Sequence, residues 1–229
     1  MPKNPHTRFL LRALGYLAVA LAIWWILLMD PMLNALRLGT EFAMQFLPGD
    51  GAAAHAAITT NGNWLIQMPV PASVASLDST QQLFGRVSKD APPVRVRSLK
   101  LPIQATFPMI FLASFPVFWA LWIAAPRKGA TWRGFLTAHG VLAAISIVSL
   151  VFYSVYTAVE SLHLMPAGAT GFLWFTGRYL VINVAPYASP VLLALFFHHG
   201  LQRLIFSGEG WPADPAPPPA RRRARQGQT

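Results

Sequence analysis

Four long apolar blocks constrain this chain more than anything else in it. They run from about Leu10 to Met29, Ile103 to Ala125, Gly134 to Tyr156 and Tyr179 to Phe197. Each approaches the roughly 20 apolar residues that a helix needs to cross a hydrocarbon core about 30 Å thick. A backbone in lipid must also satisfy its own amides, which a helix does and an irregular segment does not. A chain of 229 residues with 54% hydrophobic content therefore reads as a mainly α membrane protein with four transmembrane helices.

The charges give the blocks a direction. Eleven of the eighteen Lys and Arg residues fall on one side: Lys3, Arg8, Arg12, then Arg127, Lys128, Arg133, then Arg203, Arg221, Arg222, Arg223 and Arg225. The remaining seven (Arg37, Arg86, Lys89, Arg95, Arg97, Lys100, Arg178) share their segments with Asp30, Glu41, Asp50, Asp78, Asp90 and Glu160, which nearly cancel them. Basic residues stay on the cytoplasmic side of short loops, so both termini are expected in the cytoplasm. The net charge of +10 then sits beside membrane ends, where it meets anionic lipid. It forms no single face of the kind that grips nucleic acid, and none is expected as a partner.

The organisation expected along the chain follows. Residues 1–9 are a cytoplasmic N-terminus, 10–29 the first span and 30–48 an amphipathic helix; 49–102 form an exported small β module. Spans two and three, 103–125 and 134–156, are joined by a cytoplasmic turn at 126–133. An exported connection with an interfacial helix covers 157–178, the fourth span 179–206, and a disordered basic cytoplasmic tail 207–229. The first block leads into Asp30-Pro31 instead of a small-residue cleavage site, so it reads as an uncleaved anchor. Asp30-Pro31 is also a helix-start pair, which predicts a restart of the helix there.

Within the module, Ala57 to Thr60 and Trp64 to Met68 flank Asn61-Gly62, a pair suited to a tight hairpin turn. Val94 to Arg97 alternates apolar with basic, and Leu99-Lys100-Leu101 alternates in the opposite phase, which predicts a bulge near Ser98. Arg95 and Arg97 are candidate binding residues for an acidic peptide or head group, or simply the solvated face of a strand.

Few residues carry chemistry. Asn183 and Tyr187 are four apart in the fourth span, and Pro186 and Pro190 repeat at the same interval. They suggest either a kinked helix bearing part of a binding groove or polar contacts between helices. Glu160 and His163 have the three-residue spacing of a helical ligand pair, but one pair makes no metal site. An ion pair between Glu160 and Arg178, tying the last two spans together, is the better expectation, and Arg178 is also a tentative binding residue. His139 suits a hydrogen bond in the core, and His198-His199 diverge too far around a helix to share a ligand. The scattered serines have no His and acid beside them, no phosphate-binding glycine loop is present, and cysteine is absent. No catalytic residue, metal ligand or cofactor is assigned.

The order of parts resembles the small polytopic membrane proteins associated with exosortases, those of the exosortase H type. Three stretches carry the likeness: Arg8-Phe9-Leu10-Leu11-Arg12 with a span ending Trp24-Trp25-Ile26-Leu27-Leu28; Leu99-Lys100-Leu101-Pro102 running into the second span; and Gly177-Arg178-Tyr179 before Asn183-Val184-Ala185-Pro186-Tyr187-Ala188-Ser189-Pro190. The resemblance covers about residues 8 to 206. Exosortases use a Cys with Arg and His to process sorting tails, and a chain without Cys cannot be that enzyme. The resemblance thus implies a non-enzymatic accessory or scaffold protein of a bacterial envelope protein-sorting system. It would sit in the inner membrane with its β module in the periplasm, and its partners would be membrane lipids and an exosortase-like membrane protein or exported protein substrate. Two other readings stay open: a membrane subunit of another transport, secretion or conjugation complex, and a small lipid-modifying enzyme at the outer interface using Glu160, His163 and Arg178.

Overall fold

In a computed structural model of the chain, residues 4–47, 54–59, 61, 63–69, 98–126, 130–162 and 165–207 are described. Four apolar helices dominate: α1 Pro5–Met44, α2 Thr106–Ala124, α3 Trp132–Ser161 and α4 Gly168–Phe197. Strands β1 His55–Ile58, β2 Trp64–Pro69 and β3 Ser98–Ile103 lie between α1 and α2, and a short helix α5, His199–Ser207, follows α4. Each long helix has the length and composition to cross a bilayer, so the chain is a multi-pass membrane protein, mostly helical with one small sheet. The bundle has a sheet end, where α2 begins, and a basic end, where α3 begins.

α2 is the central helix. Of its apolar window 56% is buried, against 11% of α1's, because α2 packs between α1 and α4. Phe111, Leu112, Phe115 and Phe118 fill its contacts. α3 packs along α4 and against the second half of α1. There the missing side chain of Gly39 allows close approach: a Cβ would sit 2.6 Å from Ile147 Cδ1. Buried hydroxyls on these helices bond their own backbone, Thr40 to Leu36 O, Ser146 to Leu142 O and Ser154 to Leu150 O.

Two helices run on past an expected boundary, and each widens just ahead of a proline. The chain does not restart at Asp30-Pro31: α1 continues for 40 residues, about 60 Å, with a π-helical turn at Trp24–Leu28. Likewise the expected interfacial helix and fourth span are one helix, α4, with a π-helical turn at Leu180–Val184. Met29 N–H reaches back to Trp24 O, and Ala185 N–H to Leu180 O. A proline clashes with the carbonyl four residues before it. For Pro31 that is Leu27 and for Pro186 it is Ile182, each inside the widened turn. The extra residue moves the obstructing carbonyl aside, so the helix bends its register instead of ending.

Other boundaries shift for local reasons. Ile103, expected to open the second span, is the last residue of β3, and α2 starts at Thr106 after a turn closed by Phe107 N–H to Gln104 O. α3 begins at Trp132, where Thr131 accepts from Gly134 N–H, and runs to Ser161. The expected span to residue 206 breaks instead at His198, whose extended backbone ends α4 while its Nδ1 accepts from Leu201 N–H to start α5.

The sheet is antiparallel in the order β1-β2-β3. Ile58 pairs with Trp64, and Thr59 N–H donates to Asn63 O at 2.7 Å. The first strand therefore runs from His55 to Ile58, ahead of the Ala57 to Thr60 expected. β2 and β3 pair one to one from Trp64 with Ile103 to Pro69 with Ser98, where the described ladder ends at the residue expected to mark a bulge. Val94 to Arg97 lie outside the described residues. One face of the sheet is apolar: Ala56, Trp64, Ile66, Leu101 and Ile103 are buried, alternating with exposed His55, Ala57, Gln67 and Lys100. This is the period-two pattern of a sheet seated on a core, here closed by Met44 of α1.

Candidate functional site

Polar side chains converge where the sheet meets α1. Arg37 and Glu41 are one turn apart on the side of that helix that meets the sheet, the spacing at which side chains touch. Arg37 Nη1 lies 3.0 Å from Glu41 Oε2 and donates to Ala56 O at 2.6 Å. Glu41 Oε1 in turn lies 3.2 Å from His55 Nδ1. The Thr59 to Asn63 bond sets the phase of the ladder. It turns the Ala56 peptide away from β2, toward the open edge. Arg37 thus occupies one carbonyl that an added strand would need, so the membrane-anchored helix blocks the sheet's first edge at Ala56. The Arg37–Glu41 spacing was legible in the sequence, but its attachment to Ala56 and His55 was not. At the hairpin, Asn63 Oδ1 accepts from Ala105 N–H, tying it to the start of α2.

A second group lies between α3 and α4 on the same end. Arg178 Nη1 is 3.7 Å from Glu160 Oε1, with both side chains partly exposed, and its guanidinium lies 4.8 Å above the Tyr156 ring. Trp174 stacks on Phe152 at 5.6 Å, so these aromatic groups line the junction of the two helices. Phe172, Leu173 and Phe175 point outward from α4. His163 lies outside the described residues, as do Arg95 and Arg97. Among the described residues no three His, Asp or Glu side chains converge on a point that could hold a metal.

Asn183 and Tyr187 touch no neighbouring helix of the described chain through a hydrogen bond. Both are exposed on the outer face of α4, while Pro186 and Pro190 face the bundle. The widened turn before Pro186 sets this orientation by adding a residue to the helical register.

Aromatic rings also cluster at the basic end. Trp119 Nε1 donates to His139 Nδ1 at 3.3 Å, and His139 lies between the rings of Phe115, Phe135 and Trp119. Beside them is an open apolar cleft of about 410 Å³, lined by Tyr16, Val19 and Ile23 of α1, Trp119 and Trp122 of α2, and Trp132 of α3. Its walls carry almost no polar surface, a lining suited to an apolar group such as a hydrocarbon chain.

Comparison of the chain with protein-family models, with curated proteins and with solved structures returns no match.

Proposed function

We propose that this protein is a non-enzymatic accessory protein of the bacterial inner membrane, part of an exosortase-like envelope sorting system. Both termini lie in the cytoplasm, and the sheet is held in the periplasm as a platform for a membrane-protein partner or an exported substrate. The observation that carries this reading is the build of α1. A helix of 40 residues is about twice what the hydrocarbon core requires, and its surplus turns are clamped to the sheet by Arg37 and to α3 through Gly39. Such a design holds an exported module at a set height and angle above the membrane. The charge sorting supports the orientation, and the order of parts supports the sorting system. The apolar cleft with its tryptophans suits lipid chains of the leaflet at the basic end.

The exposed face of the sheet, with Gln67 and Lys100, is where a partner would be met. The test is a photocrosslinker placed at each of these two positions in living cells, with the captured protein identified by mass spectrometry. The expected product is a multispan membrane protein carrying Cys, Arg and His, or an exported protein bearing a sorting tail. Capture of pilus or conjugation components would move the protein to another complex. Turnover of a lipid by the purified chain, abolished by Glu160→Gln, would make it an enzyme and overturn the proposal.

A further inference from the structure

The outer face of α4 carries two polar groups where lipid should be. Counted back from Phe197, the roughly 20 residues that cross a hydrocarbon core reach Arg178. At 1.5 Å per residue Tyr187 lies about 15 Å from that end and Asn183 about 21 Å, so both are inside the core. Tyr187 is 63% exposed, Asn183 is exposed, and neither side chain bonds any described residue. An unpartnered carboxamide in hydrocarbon is costly, and polar groups within spans otherwise face the bundle.

The rest of the face is shaped for another helix. Leu180, Val184, Tyr187 and Val191 recur at steps of four, three and four residues, all exposed, with Asn183 beside them. That spacing makes one continuous seam along a helix.

We propose that this seam joins two copies of this chain about a two-fold axis along the membrane normal. Such an axis holds every residue at the same depth as its own copy, so Asn183 faces Asn183. A carboxamide offers both a donor and an acceptor, and two of them close a reciprocal pair with no other chemistry. Two-fold contacts are self-complementary by construction, and a side-chain amide is a strong link between helices in lipid. The axis also sets both sheets on the same side of the membrane. A dimer thus presents two platforms to whatever the exported side meets.

The chain's lack of cysteine makes a direct test possible. Val184→Cys and, separately, Val148→Cys on the exposed face of α3 are introduced into the full chain in its native membrane, and each is oxidised. A disulfide needs Cα atoms within about 7 Å, so only the seam position should give a band of twice the mass. In nanodiscs or vesicles of defined lipid ratio, subunit counting by photobleaching should then show dimers. Asn183→Leu should lower the association constant roughly 3- to 30-fold, the range expected for hydrogen bonds between helices in lipid. Monomers at every protein-to-lipid ratio, equal crosslinking at Val148→Cys, or dimers unchanged by Asn183→Leu would each overturn the proposal. So would a Val184→Cys adduct with a different protein in place of the doubled band.

Discussion

Replacing Arg37 with Ala should loosen the sheet from α1 while leaving the bundle intact. The guanidinium gives one charge-assisted bond to the Ala56 carbonyl at 2.6 Å and one to Glu41 at 3.0 Å, with 21% of the side chain exposed. A hydrogen bond to a charged group contributes about 1.5–3 kcal/mol when shielded, and an i,i+4 ion pair about 0.3–0.5. Partial exposure favours the lower part of that range, so opening of the sheet should become easier by about 1–2 kcal/mol. That is roughly a 5- to 30-fold rise in the opening equilibrium. Hydrogen exchange with mass spectrometry, on the full chain in nanodiscs, reads it directly in the amides of β1 and β2. Glu41→Gln keeps the bond to Ala56 and should raise exchange by less than about threefold, because an i,i+4 ion pair open to water on one side adds only about 0.3–0.5 kcal/mol. His55→Ala should change almost nothing, since that ring is 70% exposed. Exchange in β1 and β2 unchanged by Arg37→Ala would refute the reasoning. An equal rise throughout α3 would refute it too, because the loss would then be global.

Three further outcomes follow from packing. Gly39→Leu should push α1 off α3 and lower the melting temperature in detergent, and Ile147→Ala in the same chain should recover part of the loss; failure of the second change to help would mean the contact is not the cause. Trp64 is fully buried, so Trp64→Ala should cost the sheet about 3–5 kcal/mol. Trp64→Phe should cost far less, because the indole N–H has no partner among the described residues to lose; equal denaturant midpoints for the two variants would contradict this. Arg178→Ala should destabilise more than Glu160→Gln, since only the first removes the stacking on Tyr156 as well as the 3.7 Å ion pair; thermal melts with the order reversed would show that the carboxylate has another role.

Much of the architecture was legible because membranes demand simple patterns. Block length and hydropathy located four spans, and the Asn61-Gly62 pair with the alternation at Leu99-Lys100-Leu101 located the sheet. Prolines misled. Asp30-Pro31 carries the marks of a helix start and Pro186 those of a kink, and nothing local reveals that a widened turn lets the chain pass through both. The spacing of Asn183 and Tyr187 placed them on one face but not which face, because one inserted residue turns everything after it by about 100°.

By itself, then, the sequence determined which segments leave water, since transfer of an apolar block into lipid depends on its composition and length alone. It also placed Arg37 and Glu41 together, as neighbours along one helix. Only the tertiary structure decided that Arg37 closes the edge of a sheet at Ala56, 19 residues away, and that Asn183 looks outward. Those depend on how helices rotate and dock against one another. Small steric terms decide that, such as a missing side chain at Gly39 or a proline ring against a carbonyl, and hydropathy along the chain does not record them.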